Sequence, residues 1–379
     1  MGSETRRLLS SAAVIAAATI FGLTYSLTAP LIAVDLASRG YSETFIGINA
    51  ALHACGVLLV APFLPRLAVR FGARRLTVFA LLQSVVVLVL FPLAPSVIWW
   101  LPLRLALGIA AEILFVMSET WTNELSNDRS RGRMMAVYTA AISLGMVAGP
   151  TVLSAVGIGH QAYFVGAAVA FAAIPCVALP WVTAPPPLDA AARRPWAYAR
   201  LAPIAMATTI LNAGVETAGL SFIALYAAGQ GWSEEQALHL ISTLMLGAIV
   251  LQLPIGWIAD KVDSRRLALV LACLSAVSAL FWPFVLDSSW LAFTVVFIWG
   301  GLFVGIYTVM LAMVGRRFSG SDLVGIYGIM GFAWGGGALI GPALAGVAMK
   351  WSPLFGLPGL IALGCALFAA FMAVSRSES

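Results

Sequence analysis

Twelve runs of about 20 apolar residues, parted by short polar loops, leave this 379-residue chain little choice of fold. They lie near 9–37, 43–64, 76–94, 97–120, 134–156, 161–183, 201–228, 234–258, 267–286, 290–314, 323–348 and 354–374. Each is long enough to cross the hydrocarbon of a bilayer, where only internal hydrogen bonds can satisfy the backbone, so each is expected to be a helix. Composition supports this: 61% of residues are apolar and 10% charged, more apolar than an aqueous core requires. The expected fold class is an all-α integral membrane protein with 12 transmembrane helices in two six-helix halves.

Basic residues orient these segments, because cytoplasmic loops retain Lys and Arg. With the N-terminus inside, eighteen of the twenty-one fall in cytoplasmic loops or termini: Arg6, Arg7, Arg66, Arg70, Arg74, Arg75, Arg129, Arg131, Arg133, Arg193, Arg194, Arg200, Lys261, Arg265, Arg266, Arg316, Arg317 and Arg376. Arg39 and Lys350 fall outside, and Arg104 lies within segment 4. The expectation is a multi-pass protein of the cytoplasmic membrane with both termini in the cytoplasm. The net charge of +5 then reports topology, and no basic patch interleaved with aromatics points to nucleic acid. Segment 1 is too long for a signal peptide and lacks a convincing cleavage site before Asp35, so it should remain in the mature chain.

The chain also repeats itself. Gly40-Tyr41-Ser42-Glu43 returns 191 residues later as Gly231-Trp232-Ser233-Glu234, and Arg74-Arg75-Leu76 returns as Arg265-Arg266-Leu267. Gly145-x-x-x-Gly149-Pro150 is answered by Gly337-x-x-x-Gly341-Pro342. Residues 1–183 and 201–379 should therefore be similar bundles related by an axis along the membrane normal, joined by a Pro-rich, basic cytoplasmic linker at 184–200. Parallel halves with a site between them are a transporter design. Ser42 and Ser233 read as N-caps, with Gln236 completing a capping box in the second half.

Other chemistries find no support. Cys55, Cys176, Cys273 and Cys365 are separated by whole helices, without metal-ligand spacing, and are expected to be small buried packing residues. Gly335-Gly336-Gly337 opens no phosphate loop, and there is no Walker element, metal cluster or catalytic triad. No enzyme activity, cofactor or metal is expected, and transport must draw on an ion gradient or on the substrate's own.

Three motifs give the chain a resemblance to the major facilitator superfamily along essentially its whole length. Gly256-Trp257-Ile258-Ala259-Asp260-Lys261-Val262-Asp263-Ser264-Arg265-Arg266 resembles the family's loop signature G-x-x-x-D-R/K-x-G-R-R/K, with Asp263 where Gly is usual. Its first-half partner, Pro65 to Arg75, keeps Arg70, Gly72, Arg74 and Arg75 but has Val69 in place of the acid. The resemblance implies that this acid latches the loop to neighbouring helix ends in one conformation, so Asp260 is the candidate latch of the second half and the first half lacks one. Arg104-Leu105-Ala106-Leu107-Gly108 is similar to the family's R-x-x-Q-G element, with Leu107 for Gln. The paired Gly-Pro elements resemble a motif prominent in proton-coupled antiporters, although glycines four apart also serve helix packing. The run from Ser118 to Arg133 is similar to the YcaD-like subgroup.

Ionisable residues inside spans are expensive and become candidates for function. At about 100° per residue, Arg104, Gly108, Glu112 and Glu119 share one face of segment 4, while Asn212, Glu216 and Gly219 share one face of segment 7. The resemblance implies that segments 1, 4, 7 and 10 line the central cavity. Arg104 and Glu112 are about 12 Å apart along a helix, so Arg104 needs Glu216 or a substrate as partner. Glu112 lies nearer the midplane without an evident cation and is the candidate proton carrier; Glu119 is expected near cytoplasmic water. Asn49 and His53 share a face of segment 2 and either bond a neighbouring helix or touch substrate. Trp99, Trp100, Trp181, Trp196, Trp232, Trp290 and Trp351 sit near span ends, as interfacial anchors do, leaving Trp257, Trp282, Trp299 and Trp334 as packing or lining residues.

The expected function is proton-coupled efflux of a metabolite or drug-like compound by a monomer in the bilayer. The alternatives are proton-coupled uptake of a small polar or anionic solute, and a non-transporting receptor or scaffold.

Overall fold

The computed structural model describes residues 3–41, 43–157, 159–185 and 194–375. Ser42, the expected first-half cap, lies outside them, as do Arg193, Arg376 and part of the linker. The first half contains α1 (Ser3–Ser38), α2 (Glu43–Val60), α3 (Leu64–Phe71), α4 (Ala73–Leu93), α5 (Trp100–Glu124), α6 (Arg131–Val156) and α7 (His160–Ala178). After a short α8 (Pro195–Leu201) come α9 (Pro203–Gly229), α10 (Glu234–Val250), α11 (Gln252–Ala259), α12 (Ser264–Val285), α13 (Ser289–Arg317), α14 (Gly320–Trp351) and α15 (Gly356–Val374). Segment 2 is thus α2 and α3 in series, and segment 8 is α10 and α11. Pro62 and Pro65 adjoin the first break and Pro254 the second, where proline removes a helical N–H donor.

Among the described residues, eleven helical segments are long and apolar enough to span a membrane. The remaining expected span is α9, a 27-residue helix that includes side chains outside the described residues and stands outside that count. This is a multi-pass membrane protein.

Two compact units are present. The first comprises 1–126, 141–198 and 318–331; the second comprises 127–140, 199–317 and 332–379. The first turns of α6 thus belong with the second unit, and those of α14 with the first. Within the first unit α1 packs on α2, α5 and α7, α4 on α5 and α7, and α2 on α5. Within the second unit the same pattern returns one repeat later: α9 on α10, α13 and α15, α12 on α13 and α15, and α10 on α13.

The first core gathers Leu27, Leu31, Leu88, Phe91, Trp100 and Tyr163; the second gathers Leu271, Trp282, Trp299, Phe303 and Phe368. Trp100 corrects an expectation: it is 1% exposed and edge-on to both Phe91 and Tyr163, hence a core residue and not an interfacial anchor. Adjacent Trp99 is exposed, because successive helical residues point about 100° apart. The cysteines need a similar correction. Cys365 is buried, but Cys55 and Cys273 are exposed, since a small thiol fits an apolar exterior as well as a core. Ser233 and Gln236 form the expected capping box at the start of α10.

Candidate functional site

Glycines bring α2 and α5 together. A Cβ at Gly108 would lie 2.0 Å from the His53 carbonyl oxygen, and one at Gly56 would lie 2.1 Å from that of Leu105, so the two backbones touch. This crossing places His53 of α2 one helical turn from Arg104 on α5. From α1, the Tyr25 ring meets the His53 imidazole with centroids 5.3 Å apart. Arg104 is only 6% exposed, and its guanidinium has no hydrogen-bond or ion-pair partner among the described residues. His53 Nδ1 is also buried without one. Tyr25, Tyr163 and His53 lie within electrostatic reach of the guanidinium.

The acid at this end of the unit is already engaged. Asp35 accepts from Arg39 Nε at 2.8 Å and from Tyr163 Oη at 3.0 Å, while the Arg39 guanidinium lies 5.1 Å from the centre of the Trp100 ring. The hydrogen bond and charge of Asp35 raise the pKa of Arg39 above its ordinary value.

Two turns along α5, Glu112 is 5% exposed, and its Oε1 has no partner among the described residues. The carboxyl rests on Gly331 of α14, where a Cβ would lie 2.6 Å from Oε1. Glu119 is wholly buried, which corrects its expected place near water. The last turns of α5 are covered by the first turns of α14: Asn123 Nδ2 donates to Tyr327 Oη, and Glu124 Oε1 accepts from the Gly320 amide at 2.7 Å. Asn49 Nδ2 donates to the Trp100 carbonyl at 3.4 Å, a helix-to-helix bond. In the second unit Asn212 Nδ2 donates to Glu216 Oε2 at 3.2 Å, and a Cβ at neighbouring Gly219 would meet nothing within 4 Å among the described residues.

Asp260 is the centre of the second-half loop motif. Its side chain, 5% exposed, accepts from the Gly132 amide at 2.7 Å, the Arg133 amide at 3.2 Å and Arg133 Nε at 2.9 Å, with Arg316 at 3.5 Å. These amides are the unpaired donors of the α6 N-terminus, so the carboxylate caps that helix and meets the positive end of its dipole. Close approach depends on Gly256 and Gly132, since a Cβ on Gly256 would fall 2.8 Å from the Gly132 carbonyl oxygen. Asp263, replacing the usual Gly, caps α12 by accepting from the Arg266 amide at 2.8 Å. Gly72 instead adopts φ 77°, a left-handed conformation that favours glycine.

The repeated arginines bond carbonyls far along the chain. Arg74 donates to the Val182 carbonyl beyond α7, and Arg265 donates to the carbonyls of Met372 and Ser375 at the end of α15. Arg70 lies over the Phe71 ring and Lys261 over that of Trp257, whereas Arg75 and Arg266 are exposed. The Gly-Pro elements mark backbone crossings. A Cβ at Gly149 would lie 2.6 Å from the Leu27 amide, and one at Gly341 would lie 2.0 Å from the Gly214 carbonyl oxygen. Pro342 withholds the amide that would bond the Ala338 carbonyl, and Thr217 Oγ1, which donates to the Ala213 carbonyl at 2.6 Å, lies 3.4 Å from it.

Glu124, Gly331, Arg316 and Tyr25 were not among the residues singled out in the sequence as a site. Glu124 offered a faint signal as an acid closing a span beside a basic loop. The others become visible only once the helices are packed.

The sequence model of the Major Facilitator Superfamily matches residues 14–238 and 204–379. An uncharacterized MFS-type transporter of Bacillus subtilis (strain 168), YfkF, is 26% identical over 275 residues, 68% of each chain. The crystal structure of the transporter FucP in its outward conformation superposes with a TM-score of 0.80 at 13% identity, covering 97% of this chain and 99% of that one. The human organic anion transporter MFSD10 (TETRAN) gives 0.78 at 16% identity, covering 98% and 100%.

Proposed function

This chain belongs to the major facilitator superfamily, and from that premise we propose that it is a secondary active transporter exporting a small organic solute in exchange for protons. It works as a monomer in the cytoplasmic membrane, with both termini in the cytoplasm, by alternating access. Glu112 carries the reading. It is a buried carboxyl within a span, without a hydrogen bond to Oε1, seated on a glycine and on the same helix as Arg104. A structural carboxylate at that depth would be paired. A proton carrier must instead change charge as its surroundings wet and dry, which a fixed ion pair would oppose.

Asp260 supplies the conformational part. Its contacts with the α6 N-terminus bind one arrangement of loop and helix, and their release accompanies the opposite arrangement.

The test is transport of a compound found by thermal-shift screening, measured in proteoliposomes with and without an imposed pH difference. Glu112→Gln should retain binding and counterflow but lose gradient-driven accumulation. Full gradient-driven transport by this variant would remove Glu112 from the mechanism. Accumulation driven in the same direction as the proton would establish uptake in place of efflux. Absence of counterflow for every stabilising compound would favour a receptor or scaffold.

A further inference from the structure

We infer that Arg104, with His53 and Tyr25, binds the anionic group of the solute, making the substrate an organic anion. This rests on the transporter reading and names its substrate class. An arginine keeps its charge under physiological conditions, and a charge within a span is retained at a cost unless something pairs with it. Arg104 is 6% exposed and has no acceptor among the described residues. Glu112 is eight residues away on the same helix, about 12 Å along its axis. Asp35 is occupied by Arg39 and Tyr163.

The guanidinium sets the sign of the ligand, and its neighbours can add hydrogen bonds to an anion. His53 brings a buried Nδ1 without a partner, and Tyr25 brings a phenol within electrostatic reach. The guanidinium fork matches two oxygens of a carboxylate, sulfonate or phosphonate. Phe21, whose ring centroid is 6.3 Å from that of Tyr25, extends the aromatic wall and suits a flat apolar body on the ligand. The geometry thus favours a soluble organic monoanion with an aromatic or apolar body. The phosphate of an anionic lipid offers the same charge and is separated from it in the test.

Purified full-length protein, in nanodiscs of phosphatidylcholine alone, is heated with benzoate, phenylphosphonate, benzamide or benzylamine at equal concentration. Benzoate or phenylphosphonate should raise Tm by ~3 °C or more, while benzamide and benzylamine leave it unchanged. Arg104→Met should abolish the response without lowering the ligand-free Tm, because it removes an unpaired buried charge and keeps an apolar stem. Arg104→Lys should retain a reduced response and guards against a folding defect in the Met variant.

Equal stabilisation of wild type and Arg104→Met, no response to either anion, or an equal response to benzamide would overturn the proposal. So would loss of the benzoate response when one-third of the lipid is phosphatidylglycerol, which would assign the site to lipid. Counterflow separates this proposal from its premise. Anion-dependent stabilisation without counterflow of any compound leaves the site standing and removes the transporter. Counterflow of a neutral compound at the wild-type rate in Arg104→Met does the reverse.

Discussion

The Glu124 carboxylate accepts the Gly320 amide at 2.7 Å, so the last residue of α5 caps the N-terminus of α14. Asp260 makes the equivalent kind of contact with the N-terminus of α6. Val69 stands where the resemblance expects an acid in the first-half loop, and the α14 N-terminus takes its carboxylate from α5. Glu124→Ala should cost the first turn of α14 ~1 kcal/mol, the usual worth of an N-cap. Hydrogen exchange at 320–323 should then be about fivefold faster, with exchange elsewhere unchanged. Unaltered protection would show the contact to be incidental.

Asp260 makes more contacts and should matter more. Asp260→Ala leaves the Gly132 and Arg133 amides and the Arg316 guanidinium without their carboxylate, for an expected loss of ~2–3 kcal/mol from that local structure. Exchange at Gly132 and Arg133 should accelerate by more than tenfold, and counterflow should slow. Asp260→Asn, which keeps an acceptor, should lie between the two.

Gly331→Ala places a methyl group 2.6 Å from the present position of Glu112 Oε1 and must displace the carboxyl. The variant should fold, retain binding and lose pH-driven accumulation to nearly the extent of Glu112→Gln. Gly219→Ala is the control, because its Cβ meets nothing within 4 Å among the described residues. If Gly331→Ala transports normally under a pH gradient, the position of Glu112 is not critical to coupling.

The Gly-Pro elements can be tested as packing devices. Gly341→Ala puts a methyl group 2.0 Å from the Gly214 carbonyl oxygen, and Gly145→Ala puts one 2.2 Å from that of Thr19. Each crossing must widen, at a cost of ~1–3 kcal/mol. A lower Tm with intact coupling in the molecules that fold would assign the motif to packing. Unchanged Tm with lost coupling would assign it to exchange.

The helical runs were legible in the sequence because a bilayer makes length and hydrophobicity nearly sufficient conditions for a span. The repeat was legible from pairs such as Arg74-Arg75 and Arg265-Arg266, whose first arginines bond carbonyls within their own units. The face shared by Arg104 and Glu112 followed from helical period alone. Burial of Trp100 and Glu119 did not, because depth in the membrane does not reveal which side of a helix a neighbour covers.

Sequence by itself determined the number and extent of the apolar runs, the family, and the residues whose charge is costly within a membrane. Those follow from local composition and period. Only the tertiary structure decided that Asp35 is occupied while Arg104 is not, that Glu112 rests on Gly331, and that Glu124 caps the N-terminus of α14. Each of these depends on elements far apart in the chain, and the identity of a charge's partner is a matter of distance in space that no local pattern encodes.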